Sequence, residues 1–259
     1  VSPFAIDLQS EHGFNNRGDE LSVSPIMVET FLKLGRSIVN APEFDGYSNL
    51  TNSSLFELPA KKIDSKQLKL HLSGFLERAF RQPISEDVMN RYVGYLDAEY
   101  RKNKSFKKSM KKLITAVISS PRFFYINEAK NGNLKAQRLT AYELATRLSF
   151  FLWSSIPDEE LLALARNGSL LDPAVYKGQV KRLLESPKSK SIAENFARQW
   201  LRLDQLITAV PDFDRFQIYY SRIGCEQWKF GLQTMIEPLL LFESIMVEDR
   251  SVMLLVDSN

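Results

Sequence analysis

The side chains that could do chemistry are few and scattered. Asn15, Asn16, Asp19 and Glu20 bring hard oxygen donors together in one loop, the chemistry calcium takes. They lack the alternate-position ligands and distal glutamate of an EF-hand loop. A hydrogen-bonded turn, with Asn and Gly in left-handed backbone angles, accounts for the same residues. His12, beside Gly13, offers an imidazole that could contact haem iron. As a loop histidine it equally fits a solvated or hydrogen-bonded role. His71 lies off the main stripe of its helix and reads as surface.

Charge gathers most strongly at Arg101, Lys102, Lys104, Lys107, Lys108, Lys111 and Lys112. Lys107, Lys108, Lys111 and Lys112 fall away from the apolar stripe of their helix, as a solvated face would place them. They also crowd a helix N-terminus, where each cation opposes the macrodipole by ~0.3–1 kcal/mol. An anionic partner would offset that cost: an acidic protein face, a sulfated polysaccharide or a phosphate-rich surface. Interleaved aromatics and a reading motif for nucleic acid are missing, so no nucleic-acid partner is expected.

Asp212 with Asp214, or Glu243 with Glu248, could be paired carboxylates for glycoside hydrolysis, but nearby acids on a loop or helix are commonplace. Cys225, beside Gly224 at a predicted helix start, lacks a neighbouring histidine and reads as an inert thiol. Trp153, Trp200 and Trp228 sit at helical positions among Leu and Phe, as core residues do.

The elements that must position these residues are helices. Pro25 in a first turn opens one with Val28, Phe31, Leu32 and Ile38 on its stripe. Residues 41–60 read as a linker rich in Pro, Gly, Asn and Ser. Asp64 with Gln67 forms a capping-box pair before Leu68, Leu72, Phe75, Leu76, Ala79 and Phe80. Pro83 is expected to stop that helix and Ser85 to cap the next, striped by Val88, Tyr92, Tyr95 and Leu96. A third runs from Ser105 to Ser119, with Phe106, Met110, Leu113, Ile114 and Val117, and Pro121 ends it.

The polar stretch Asn127–Gln137 is the expected main boundary. Beyond it, Thr140 and Glu143 form a full capping box ahead of Leu144, Leu148, Phe151 and Leu152. Pro157-Asp158, Asp172-Pro173 and the run Ile192, Phe196, Trp200, Leu201 mark three more helices. A long one runs from near Gly224 to Val247, and Pro238 should kink or break it. No alternating strand pattern of useful length occurs. The prediction is an all-α chain of two consecutive helical bundles joined by a short polar linker. Residues 1–60 form a loop, helix and linker, 61–127 a three-helix bundle, and 138–259 a second, C-terminally incomplete helical domain.

Composition agrees. The 259 residues are 44% hydrophobic and 25% charged, enough to bury a sizeable core and too balanced for disorder or collagen. One cysteine excludes an internal disulfide, a zinc ribbon and a CxxCH haem attachment within these residues. The apolar run Met235–Met246 is interrupted by Glu237, Pro238 and Glu243 and falls short of the ~20 residues a membrane span needs. A net charge of +3 does not by itself argue for any polyanion.

Three stretches resemble a known family: Gly13–Pro25 (GFNNRGDELSVSP), Phe75–Ser85 (FLERAFRQPIS) and Arg138–Asp158 (RLTAYELATRLSFFLWSSIPD). Asn195–Leu201 (NFARQWL) and Glu248–Val252 (EDRSV) join them. The family comprises large multidomain proteins abundant in planctomycetes and verrucomicrobia, in which domains of unknown function stand beside c-type cytochrome modules. The resemblance covers nearly the whole chain. It implies an exported protein, periplasmic or at the cell surface. It also implies that this chain, which starts at Val1 and stops at Asn259, is the middle of a longer one carrying haem c outside these residues. The chain departs from the family pattern at Asn15, where Asp is frequent, and near Leu239, where a second acid is usual. Both departures weaken metal or acid chemistry there.

Two functions from different classes follow. The first is a non-catalytic scaffold or docking module that holds cytochrome modules or a redox partner, with Lys107, Lys108, Lys111 and Lys112 as the contact surface. The second is part of an oxidoreductase or polysaccharide-acting enzyme whose active site other domains complete.

Overall fold

The computed structural model describes residues 25–46, 55–57, 64–126, 138–209, 212–223 and 227–257. Helices dominate, and no strand occurs among the described residues, so the chain is all-α. By contacts it divides into two compact units. Within the described residues the first takes 25–146 and 156–171, and the second 147–155 and 172–257. The polar stretch Asn127–Gln137 lies outside the described residues.

The first unit starts with α1 (Pro25–Asn40). α2 (Ser65–Phe80), α3 (Glu86–Asn103) and α4 (Phe106–Ile118) follow, with the single-turn α5 at Pro121–Phe124. The first half of α6 (Ala141–Trp153) and α7 (Glu159–Arg166) complete it. The core takes Leu68, Leu72, Leu76 and Phe80 of α2 and Phe106, Met110, Leu113 and Val117 of α4 from the expected stripes, whereas α3 buries Val88, Met89, Val93 and Leu96, with Tyr92 only partly buried and Tyr95 exposed. α4 lies against both α1 and α3.

Local chemistry sets the starts. Asp64 accepts from the Lys66 amide, and Ser105 from that of Lys108. Thr140 and Glu143 make the expected capping box: the Glu143 carboxylate takes the Thr140 amide at 2.7 Å, and the Glu143 amide donates back to the Thr140 hydroxyl at 3.3 Å. Asp158 accepts from the Leu161 amide and Asp172 from those of Ala174 and Val175, capping α7 and the helix that Pro173 opens. Ser85 occupies its cap position without a side-chain hydrogen bond.

The ends differ from expectation. α2 stops at Phe80 because Arg81 takes a left-handed conformation at φ 57°, two residues before Pro83. Lys104, Ser154, Arg202 and Asp249 also have φ near +50°. Each non-glycine in that region carries a cost of ~1 kcal/mol that surrounding contacts must offset. Pro121, expected as a terminator, instead opens α5 at the position where its missing N–H is harmless.

The second unit holds the rest of α6, then α8 (Pro173–Glu185). In α9, Lys190–Ile192 and Arg198–Trp200 flank a π-helical turn at Ala193–Ala197. α10 (Asp204–Thr208), α11 (Gln217–Ile223) and α12 (Gln227–Val247) follow. α12 continues across Pro238, so of the expected kink or break the break does not occur. Trp153 is buried here, its Nε1 donating to the Leu183 carbonyl at 2.8 Å. α10 and α12 approach so closely at Gly231 that a Cβ there would stand 2.6 Å from the Leu206 carbonyl oxygen.

Three substitutions test this packing by urea denaturation. Leu76→Ala, at a fully buried position, should cost ~2–5 kcal/mol, and Leu70→Ala, at one 80% exposed, under ~0.5 kcal/mol. Gly231→Ala should cost ~1–3 kcal/mol, because the obstacle is backbone. Equal effects at Leu70 and Leu76 would contradict the core assignment.

Candidate functional site

The first unit contains a cleft of about 400 Å³ where the end of α2, the chain after α5 and the start of α6 converge. Phe80, Arg81, Gln82 and Pro83 form one wall, Arg122, Tyr125 and Ile126 another, and Thr140, Tyr142, Glu143 and Thr146 the third. The sequence positions each wall. The left-handed turn at Arg81 swings residues 81–83 off the axis of α2. Pro121 starts α5, and the capping box fixes the first turn of α6.

Arg81 is only 5% exposed. Its Nη1 donates to the carbonyls of Phe123 at 2.8 Å and Ala79 at 3.2 Å, and its Nη2 to those of Tyr125 at 2.9 Å and Arg122 at 3.3 Å. One guanidinium thus satisfies the carbonyl end of α5 and ties it to the end of α2. Burial lowers its proton affinity, yet a guanidinium stays charged at any physiological pH.

Below the cleft, Glu77 of α2 joins two other helices. The Tyr142 hydroxyl donates to its Oε1 at 2.5 Å, and Arg166 of α7 grips both oxygens, Nε at 3.1 Å and Nη2 at 3.0 Å. Arg166 also reaches Glu159 at 3.3 Å. Burial alone would raise the Glu77 carboxyl; the Arg166 and Tyr142 hydrogen bonds and the Arg166 charge outweigh it, leaving the group below its ordinary range. Burial, the bond to Glu77 and that carboxylate's charge push the Tyr142 hydroxyl up to about 12. Glu77 and Tyr142 lie in two of the stretches that carry the resemblance, but their partnership across 65 residues has no local signal.

The basic run has internal partners. Lys107 and Lys111 reach Asp45, just beyond α1, at 3.1 and 2.8 Å, and Lys112 reaches Glu99 of α3 at 2.6 Å. Hydrogen bonds from Lys111 and Lys107 hold the Asp45 carboxyl below its ordinary range, and Lys112 does the same for Glu99. Lys108 is exposed and makes no ion pair with a described residue. The crowding of cations at the start of α4 is thus relieved within the unit by Asp45.

His12, Asn15, Asn16, Asp19 and Glu20 lie outside the described residues, as does Cys225. His71 differs from its surface reading. It is half-buried, its ring stands edge-on to Phe106 at 5.5 Å, and its Nε2 is 2.9 Å from the Leu55 carbonyl. Three of the paired acids have partners of their own: Asp212 accepts from the Arg215 amide, Glu243 meets Lys190 at 3.5 Å, and Glu248 meets Arg250.

The second unit presents aromatic surface where the tryptophan pattern predicts core. Phe196, on the π-helical turn, stacks on Trp200 at 5.8 Å and meets Phe151 at 6.1 Å and Phe242 of α12 at 6.3 Å. Phe151 is 59% and Trp200 47% exposed. A π turn inserts one residue into the helical period, which rotates the residues beyond it off the predicted stripe.

Unfolding as a function of pH tests the Glu77 junction. A depressed carboxyl contributes stability that is present above its ordinary value near pH ~4.3 and lost as pH falls through the lower folded value. A raised hydroxyl contributes below pH ~10 and loses that contribution as pH rises through about 12. Glu77→Gln should cost ~1 kcal/mol at neutral pH and flatten the acid limb. Tyr142→Phe should flatten the alkaline limb. An acid limb unchanged in Glu77→Gln would contradict the junction.

Comparison with known proteins places the chain beside families described without a function. Residues 67–128 match the family model PSD5, protein of unknown function (DUF1595), and residues 139–259 match PSD4, protein of unknown function (DUF1592). No curated protein and no solved structure matches the chain. The first match contains α2 to α5 with the Arg81 wall, and the second the α6 wall of the same cleft. The chain is thus similar to two families of unknown function over most of its length.

Proposed function

We propose that this chain is a helical scaffold and docking module of a larger exported protein of cytochrome-c type, supporting electron transfer by holding haem-bearing modules. The observation that carries this reading is the aromatic face of the second unit. Isolated exposed hydrophobics are ordinary, but a contiguous aromatic cluster with Phe151 and Trp200 largely open to solvent marks an interaction surface. Aromatic residues are enriched at the centre of protein interfaces, where they supply large contact area at low entropic cost. The charged groups beside it, Lys190 with Glu243 and Arg198 with Asp204, are already paired and form a polar rim. The cytochrome identity of the partner rests on the family resemblance.

Lys107, Lys108, Lys111 and Lys112 remain a proposed second contact surface. Their pairing with Asp45 and Glu99 leaves Lys108 as the member to engage an acidic partner such as another module's face or an anionic polysaccharide. The cleft in the first unit favours a second reading, in which the chain is part of an oxidoreductase or polysaccharide-acting enzyme completed by other domains.

An absorbance spectrum with a pyridine haemochrome assay on natively purified protein, alongside its intact mass, tests the docking reading. A Soret band on a protein well above 29.7 kDa is expected. A colourless protein of about that mass would overturn the electron-transfer role. No helix among the described residues is long and apolar enough to cross a membrane.

A further inference from the structure

The cleft of the first unit has the size and lining of a small-molecule site, and its charge selects the ligand. Its volume of about 400 Å³ falls within the ~300–1,000 Å³ of ligand pockets. Its two cationic residues, Arg81 and Arg122, face one acid, Glu143. That acid is engaged: its Oε2 accepts both the amide and the hydroxyl of Thr140, at 2.7 and 2.8 Å, at the start of its own helix. A cationic ligand would therefore meet two guanidinium groups and a carboxylate already engaged.

Two polar side chains of the lining have no assigned work. Arg122 and Gln82 make no side-chain hydrogen bond or ion pair with a described residue, whereas Arg81 is engaged by backbone carbonyls. A guanidinium and an amide, one on each of two walls, both present N–H donors, and a carboxylate can accept several of them. Three aromatic rings line it too, Phe80, Tyr125 and Tyr142, beside Ile126 and Pro83. Tyr142 is fixed in place by its bond to Glu77, and Arg81 fixes the carbonyls on either side of Phe124, so these walls are rigid before any ligand arrives. A bare inorganic anion would leave the aromatic walls unfilled, and a neutral ring would leave Arg122 unmatched.

We propose that this cleft binds a small carboxylate carrying a single ring, with Arg122 and Gln82 receiving the carboxylate and Phe80, Tyr125 and Tyr142 enclosing the ring. The ring is aromatic or a sugar acid; both share the recognised chemistry. The site belongs to the first unit alone and does not depend on the docking role of the second.

Titration calorimetry on the full chain tests it with four probes: benzoate, its neutral isostere benzamide, galacturonate and inorganic phosphate. At least one ring carboxylate should bind, and benzamide and phosphate at least ten times more weakly than it. The tighter of benzoate and galacturonate then identifies the kind of ring. Arg122→Ala, at an exposed position, should weaken that ligand at least tenfold, Arg122→Lys less, and Gln82→Ala severalfold, with the unfolding midpoint of each variant little changed. Failure of both ring carboxylates at about 10 mM, below the affinity a specific site confers, would overturn the proposal. So would equal binding of benzamide or phosphate, or an unchanged affinity in Arg122→Ala and Gln82→Ala.

Discussion

A single buried cation organises the first unit. Arg81 sits at the end of α2 in a left-handed conformation that an arginine adopts only at a cost, and it carries a charge out of water. Hydrogen bonds to four carbonyls offset both. Without the guanidinium, the end of α5 would leave several carbonyls unsatisfied, each worth ~1–3 kcal/mol when buried. The turn at Arg81 also swings Gln82 and Pro83 into the cleft wall. Termination of a helix, satisfaction of a second helix end and formation of a concave surface are therefore one event.

The Glu77 junction extends that order to α6 and α7. Its three members come from helices far apart in sequence, and a carboxylate shared by a tyrosine and an arginine holds them at fixed spacing. The stretches that carry the family resemblance, Phe75–Ser85 and Arg138–Asp158, supply Glu77, Arg81, Thr140, Tyr142 and Glu143, so these motifs are partly one packing arrangement. The second unit has a different emphasis. There the π-helical turn of α9 carries the half-buried Phe196 and precedes the exposed Trp200, giving an aromatic surface where the sequence predicts core.

The helices themselves were legible because their starts are local chemistry. Thr140 with Glu143, Asp158 and Asp172 sit within three residues of the amides they cap, and α4 lies within one residue of its predicted limits. The ends were less legible: Arg81, Lys104 and Ser154 stop helices without glycine or proline, through contacts a sequence does not display. The lysine run was visible, whereas its partner Asp45 sits more than sixty residues upstream in what reads as a linker. His71 read as surface because nothing local announces the Leu55 carbonyl. Arg81 and the cleft had no signal short of the fold, since one arginine among charged neighbours looks like any exposed cation.

The central claim is that the aromatic face of the second unit receives a haem-bearing module. A photo-crosslinking side chain at position 200 of the native protein, followed by peptide sequencing, tests this most directly. The account predicts cross-links to a peptide of a CxxCH-bearing module, lost when excess c-type cytochrome module is added as competitor. Cross-links that run only to a second copy of this same chain, or to none, would contradict it.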